Sequence, residues 1–146
     1  MINMKIRLAT SSDTNDIIVL DNQYEYERYS EGAIRSSLES SSYINYIAFH
    51  GDKAIGYVSF LSVVNEAELL KIVVDKDFRH MGIGYNLIST AINGLKAKGT
   101  EKVFLEVRAD NLVAKRLYSS IGFCKINIRQ KYYEDGGDAE IYSLSL

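Results

Sequence analysis

The chain has 146 residues, of which 47% are apolar and 25% charged, globular proportions that exclude a disordered or fibrous polypeptide. Lys and Arg number 17 against 19 Asp and Glu, and a net charge of −2 is too balanced for a nucleic-acid binder or a polybasic membrane module. Cys124 is the single cysteine, so no internal disulfide forms, and with no leader-like or membrane-spanning run the expectation is one cytoplasmic domain over residues 1–146.

Lys5-Ile6-Arg7-Leu8-Ala9 alternates polar and apolar residues and reads as a strand. Thr10 and Asp13 match a capping box ahead of the apolar run from Ile17 to Leu20, which marks a helix start. Ser30-Glu31 caps a second short helix through Leu38. Tyr43–Phe49 and Ala54–Val64 form a hairpin across His50-Gly51-Asp52-Lys53, and Ala67–Val74 is a third strand. The period then changes. Ile88, Ala91, Ile92 and Leu95 fall on one helical stripe that Gly99 ends. Val103, Leu105 and Val107 mark the inner face of a strand, and Ala114, Leu117, Tyr118 and Ile121 a further helix closed by Gly122. Phe123–Tyr132 and Ala139–Leu146 read as two strands joined by a turn around Gly136-Gly137.

The order β-α-α-β-β-β-α-β-α-β-β predicts an α/β fold (mixed α+β), a twisted mixed sheet of about six or seven strands flanked by about four helices. The unit from Ala67 to Val107 should be a right-handed parallel crossover, with ligands at the carboxyl ends of its strands. At that edge lies Arg79-His80-Met81-Gly82-Ile83-Gly84-Tyr85, between strand and helix. Free N–H groups and the positive helix end favour an anion there, and glycine lets it approach the backbone. The loop is no P-loop, lacking Gly-Lys-Ser/Thr, and no dinucleotide fingerprint, lacking its third glycine.

Arg-x-x-Gly-x-Gly resembles the acyl-CoA pyrophosphate loop of the GNAT N-acetyltransferase superfamily. Phe104-Leu105-Glu106-Val107-Arg108-Ala109-Asp110-Asn111, then Ala114, Leu117-Tyr118 and Gly122-Phe123, is similar to its second signature, in the form of the RimI type, the ribosomal-protein alanine N-alpha-acetyltransferases. The likeness extends to Glu66-Ala67-Glu68-Leu69, Ile72-Val73-Val74 and Arg129 with Tyr132-Tyr133, covering the last part of the chain best. It implies a single GNAT-like domain, acetyl-CoA as cosubstrate, no metal, and direct attack of an amine on the thioester.

Glu106 lies near the end of an inner strand, where burial would raise its pKa into the range of a general base, and the resemblance assigns it that role. Pairing with Arg108 or a lysine is the structural alternative. The resemblance makes Tyr118 the general acid for the departing thiolate, although its stripe also suits a core aromatic. It gives Ile72, Val73 and Val74 backbone contacts to the thioester and pantetheine arm, with strand core as the plain alternative. Arg79, His80, Met81, Gly82, Ile83, Gly84 and Tyr85 would hold the pyrophosphate, with a solvated loop residue the alternative for His80. Asn111 would touch the coenzyme or cap its helix, roles that are compatible. Cys124 is expected as a small buried hydrophobe rather than a nucleophile.

Deprotonating a lysine at neutral pH costs about 3.5 kcal/mol more than deprotonating an α-amine, so one tuned carboxylate favours the α-amine of a protein or peptide, a ribosomal protein among the candidates. Aromatic and acidic residues from Tyr24 to Glu31 and from Tyr132 to Asp135 supply a surface for a cationic N-terminus, with Tyr29, Tyr132 and Glu134 as substrate contacts; hydrated loops are the alternative. Small-amine acetylation and a non-catalytic acyl-CoA-binding module remain open. The chain departs from the family where Arg28-Tyr29 replaces Pro-Trp, where Lys76 replaces a proline, and in a short late loop at Gly136-Gly137-Asp138-Ala139.

Overall fold

A computed structural model describes residues 2–24 and 28–146. One seven-stranded sheet runs in the order β1-β2-β3-β4-β5-β7-β6. Its strands are β1 (Lys5–Leu8), β2 (Tyr43–His50), β3 (Lys53–Val63), β4 (Glu66–Val74), β5 (Lys102–Arg108), β6 (Cys124–Arg129) and β7 (Ala139–Ser145). The helices are α1 (Thr14–Asp21), α2 (Glu31–Glu39), α3 (Ile83–Ala97) and α4 (Leu112–Ile121). The element order is the one the periodicities predict. β4 and β5 are parallel across the α3 crossover, and every other neighbouring pair is antiparallel.

The end signals act as their chemistry requires. Ser30 accepts from the Ala33 amide at 3.1 Å, and Asn111 from the Ala114 amide at 3.2 Å. Gly99 and Gly122 follow α3 and α4 with φ of 96° and 118°. The Thr10–Asp13 capping box is formed, but it caps a single 3₁₀ turn, Ser11–Asp13, that leads into α1. The strand expected over Phe123–Tyr132 is shorter, and the chain leaves the sheet after Arg129.

Two apolar clusters sandwich the sheet. The larger joins α3 and α4, through Leu87, Ile88, Ala91, Leu95 and Tyr118, to Val58, Phe60, Leu69, Val103, Leu105 and Val107. The smaller puts Ile17 and Leu20 of α1 and Ile34 of α2 against Ile47, Tyr57 and Val73. Cys124 is exposed at the start of β6, correcting the expected burial: β6 is an edge strand whose six residues are all exposed, so no core reaches the thiol.

Arg7 donates to both Asp13 oxygens, at 2.8 and 2.9 Å, and this hydrogen bonding holds the Asp13 carboxyl below its ordinary range despite partial desolvation. A carboxylate with a depressed folded-state pKa stabilises the fold above its unfolded value and loses that contribution as pH falls. Asp13→Asn should therefore lose at most about 1 kcal/mol near pH 6, because Arg7 is partly solvated, and match the parent near pH 2. Urea unfolding at both pH values tests this, and an equal deficit at both would contradict it.

Candidate active site

β4 and β5 begin as a pair and then separate. Their register runs from Glu66 opposite Lys102 to Leu69 opposite Leu105 and goes no further. β4 continues five residues to Val74 on the edge of β3 alone. The Asp75 amide donates to Ile55 across β3 at 2.8 Å. Strand alternation therefore turns the amides of Ile72 and Val74 away from β3, toward the gap, while that of Val73 faces β3. Unpaired strand amides are strong donors awaiting an acceptor.

A groove of about 420 Å³ runs past this gap on the α3 and α4 side. Ile72, Val73 and Val74 line it together with Tyr24, the turn before α3, and Asn111, Ala114 and Leu117. Gly82 caps α3 with φ of 80°, a left-handed conformation that costs glycine little. Asn86 is the first α3 residue whose amide bonds back to Gly82, so the amides of Ile83, Gly84 and Tyr85 point out of the helix end without intrahelical partners. At Gly84 an added Cβ would lie 3.1 Å from Leu117 and 3.6 Å from Ile72, so any side chain would crowd the floor of the groove. His80 holds a φ of 63° and is exposed with Arg79 and Met81. Together these features fit a long ligand carrying an anionic group at the helix end.

A second groove, about 530 Å³, lies on the β5 face opposite α3 and α4, where Phe104 and Glu106 alternate with the inward Val103, Leu105 and Val107. Leu61, Val63 and Ile141 give it an apolar floor, and Glu66, Glu68, Glu106 and Arg129 give it charge. The Glu106 side chain is 30% exposed. This corrects the expected burial: alternation placed Glu106 on the outer face, and no helix covers that face at this point. Its partner is neither Arg108 nor a lysine. Arg129 stands 3.9 Å from one oxygen, and the Tyr133 hydroxyl donates to the other at 3.4 Å.

Arg108 organises the loop that brings Tyr133 there. Its guanidinium pairs with Asp135 and lies 4.3 Å from the centre of the Tyr133 ring. Tyr132 packs edge-on against Tyr133 and lines the groove. Glu134 is exposed, Tyr29 packs into the α1–α2 cluster, and neither is among the residues lining the two grooves. Glu25, Tyr26 and Glu27, part of the expected acceptor surface, lie outside the described residues. Tyr118 is 6% exposed, edge-on to Phe123, with its hydroxyl pushed far up by burial. Sequence reasoning missed Tyr133 as a neighbour of Glu106 and Tyr24 as a wall of the 420 Å³ groove. The Tyr132-Tyr133 pair was the available signal for the first, and nothing local marks the second. Among the described residues no group of three His, Cys, Asp or Glu is placed to hold a metal ion, and no helix is long and apolar enough to cross a membrane.

Strands that part above a glycine turn leave free amides beside a groove, with a carboxylate on the opposite face. A family model described as the Acetyltransferase (GNAT) family matches residues 12–123, and the chain belongs to that family. It is an acetyl-CoA-dependent N-acetyltransferase. It is 30% identical over 128 residues to the ribosomal protein bS18-alanine N-acetyltransferase of Haemophilus ducreyi, with 88% of each chain covered. It is also 30% identical over 158 residues to the N-alpha-acetyltransferase of Sulfolobus acidocaldarius, covering 99% of this chain and 94% of that one. The crystal structure of the ribosomal-protein-S18-alanine N-acetyltransferase from Escherichia coli superposes with a TM-score of 0.89 at 30% identity, covering 98% of this chain and 94% of that one. These similarities bear out the likeness drawn from the two signatures and the GNAT fold expected from it.

The Tyr133 hydroxyl is pushed up to about 12, by burial first and then by the Glu106 carboxylate. Glu106→Gln should bring its titration down toward the ordinary value of about 10. Tyrosine ¹³Cζ NMR, assigned with Tyr133→Phe, reads this directly. An unmoved titration would mean that the two groups do not meet in solution.

Proposed function

We propose that the protein transfers acetyl from acetyl-CoA to the α-amine of a protein or peptide N-terminus, with Glu106 as general base and Tyr118 as general acid. The observation carrying this reading is that two grooves on opposite faces of the sheet flank the parting of β4 and β5: one reaches Glu106 just past Leu105, and the other is lined by Ile72, Val73 and Val74 just past Leu69. The 420 Å³ groove suits the coenzyme. The outward amides of Ile83, Gly84 and Tyr85, with Arg79 and His80 beside them and Met81 and Gly82 shaping the turn, would hold its pyrophosphate. Asn111 stands on the same wall. The amides of Ile72 and Val74 would bond the pantetheine arm and the thioester oxygen, which gains negative charge during attack. Val73 contributes by keeping β4 on β3, since its own amide faces that strand.

Glu106 opens into the 530 Å³ groove, where an extended peptide could lie. Its carboxylate would take the proton of the attacking amine, directly or through a water that the exposed setting admits. The acceptor class follows from the acid–base requirement: an α-amine releases its proton near neutral pH, and a lysine must be forced. Names of the relatives that act on N-termini support the same class, and a ribosomal protein is the substrate that two of them suggest. Tyr132, on an apolar floor beside acidic side chains, would pack against the peptide. Tyr29 and Glu134 stand outside that groove, so any help from them is indirect. Burial keeps the Tyr118 hydroxyl protonated but makes it a weaker acid, and the residue is not among those lining either groove, so the donation proposed for it requires the departing sulfur to come within reach of α4.

Thiol release with acetyl-CoA and a panel of Ala-initiated peptides, lysine-containing blocked peptides and polyamines tests both reaction and acceptor. The peptides with a free N-terminus should react fastest, and turnover with polyamines alone would overturn the acceptor class. Glu106→Gln should lower kcat by about 10²–10⁴ with the Kd for acetyl-CoA unchanged, and parental kcat in that variant would remove Glu106 from the mechanism.

A further inference from the structure

Asp21 at the end of α1 and Lys71 in β4 form an ion pair with each side chain only 1% exposed, Lys71 Nζ donating to Asp21 Oδ1 at 2.8 Å. The Tyr57 hydroxyl donates to the same oxygen at 2.6 Å, and the Tyr29 amide to Oδ2 at 2.7 Å. The Lys71 ammonium also lies 3.7 Å from the centre of the Tyr29 ring and 4.5 Å from that of Tyr24. Burying such a pair gains little net stability over apolar groups of the same volume. What it supplies here is geometry, because five groups from α1, the segment after it, β3 and β4 converge on one point.

A bulge aims Lys71 at that point. Ser59 stands opposite Lys71 but Phe60 opposite Leu69, so Leu70 is the extra residue of β4. Before it, Ala67 and Leu69 face the α3–α4 core; after it, Val73 faces the α1–α2 cluster, and Lys71 turns the same way toward Asp21. Without the extra residue, alternation would carry Lys71 onto the α3 side. The bulge falls where pairing with β5 ends, so Lys71 follows directly on the parting of the strands and adjoins Ile72, whose amide faces the gap. Tyr24, held by the Lys71 cation, lines the 420 Å³ groove beside Ile72, Val73 and Val74.

We propose that Lys71 is a positioning residue for acetyl transfer: anchored by Asp21, its ammonium fixes Tyr24 and Tyr29 against β4, and so fixes the groove wall beside the gap where thioester and amine meet. This rests on the function proposed above. A small displacement of that wall costs the near-attack geometry and leaves the remote coenzyme contacts at the α3 end untouched.

The test is the double variant Lys71→Met with Asp21→Asn, which removes the two charges of the pair together. It should fold, keep its Kd for acetyl-CoA within about threefold, lose at least about tenfold in kcat, and exchange the Tyr29 amide faster than the parent. A merely structural pair would move the melting temperature and leave kcat per folded molecule unaltered. A folded double variant with parental kcat and KM overturns the proposal. Should the double variant fail to fold, Tyr24→Leu decides: it spares the ion pair, and parental kcat there overturns the proposal equally. Failure of the proposed function is separable, because exchange needs no turnover. A Tyr29 amide that exchanges equally fast in parent and variant overturns the positioning role whatever the parent acetylates.

Discussion

Past Leu69 and Leu105, β4 and β5 cease to exchange hydrogen bonds, and this loss of pairing within the sheet is the constraint on which the site depends. A buried strand with unpaired amides is costly unless something else accepts from them. β4 tolerates the gap because β3 holds its other edge as far as Val74 and because two apolar clusters clamp its faces. The donors at Ile72 and Val74 are therefore fixed before any ligand arrives. Under the proposed mechanism that fixity is catalytic capital, since preorganised donors need no rearrangement when charge develops on the thioester oxygen.

Each side of the gap is held by a different kind of contact. On the side proposed for the coenzyme the geometry is almost all backbone: a left-handed Gly82, the open amides of the α3 end, and a Gly84 that leaves the groove floor clear. On the side proposed for the acceptor it is side-chain electrostatics. Arg108 ties Asp135 and the Tyr133 ring together, and Tyr133 in turn meets Glu106, which Arg129 also approaches. The late loop is short, yet this cluster gives it a defined shape over the groove. The Asp21–Lys71 pair extends the same logic to the part of the wall that Tyr24 forms.

Much of this was legible in the residues, and what was not has physical causes. Helical stripes, the caps at Ser30 and Asn111 and the hairpin through Gly51 are local, so periodicity and end chemistry revealed them. The glycine turn before α3 was legible for the same reason, since loop and helix end are contiguous in sequence. Sheet order was not: alternation in Val103, Leu105 and Val107 tells which face is buried but not that β7 inserts between β5 and β6. The bulge at Leu70 left no trace, because β4 is covered on both faces beyond it and both read as apolar apart from Lys71. Asp21 and Lys71 are fifty positions apart, a separation across which no short-range rule operates. The exposure of Glu106 and Cys124 has one cause: strand character implies cover, whereas β5 faces an open groove and β6 lies at the edge of the sheet.

The most direct test of the central claim is a crystal structure of the protein with acetyl-CoA and an Ala-initiated peptide, Glu106→Gln being used to slow turnover. Pyrophosphate should lie at the open amides of Ile83, Gly84 and Tyr85, the thioester oxygen should accept from the Ile72 or Val74 amide, and the peptide amine should approach from the opposite face beside position 106. A coenzyme bound elsewhere, or an amine and a thioester on the same face of the sheet, would contradict it.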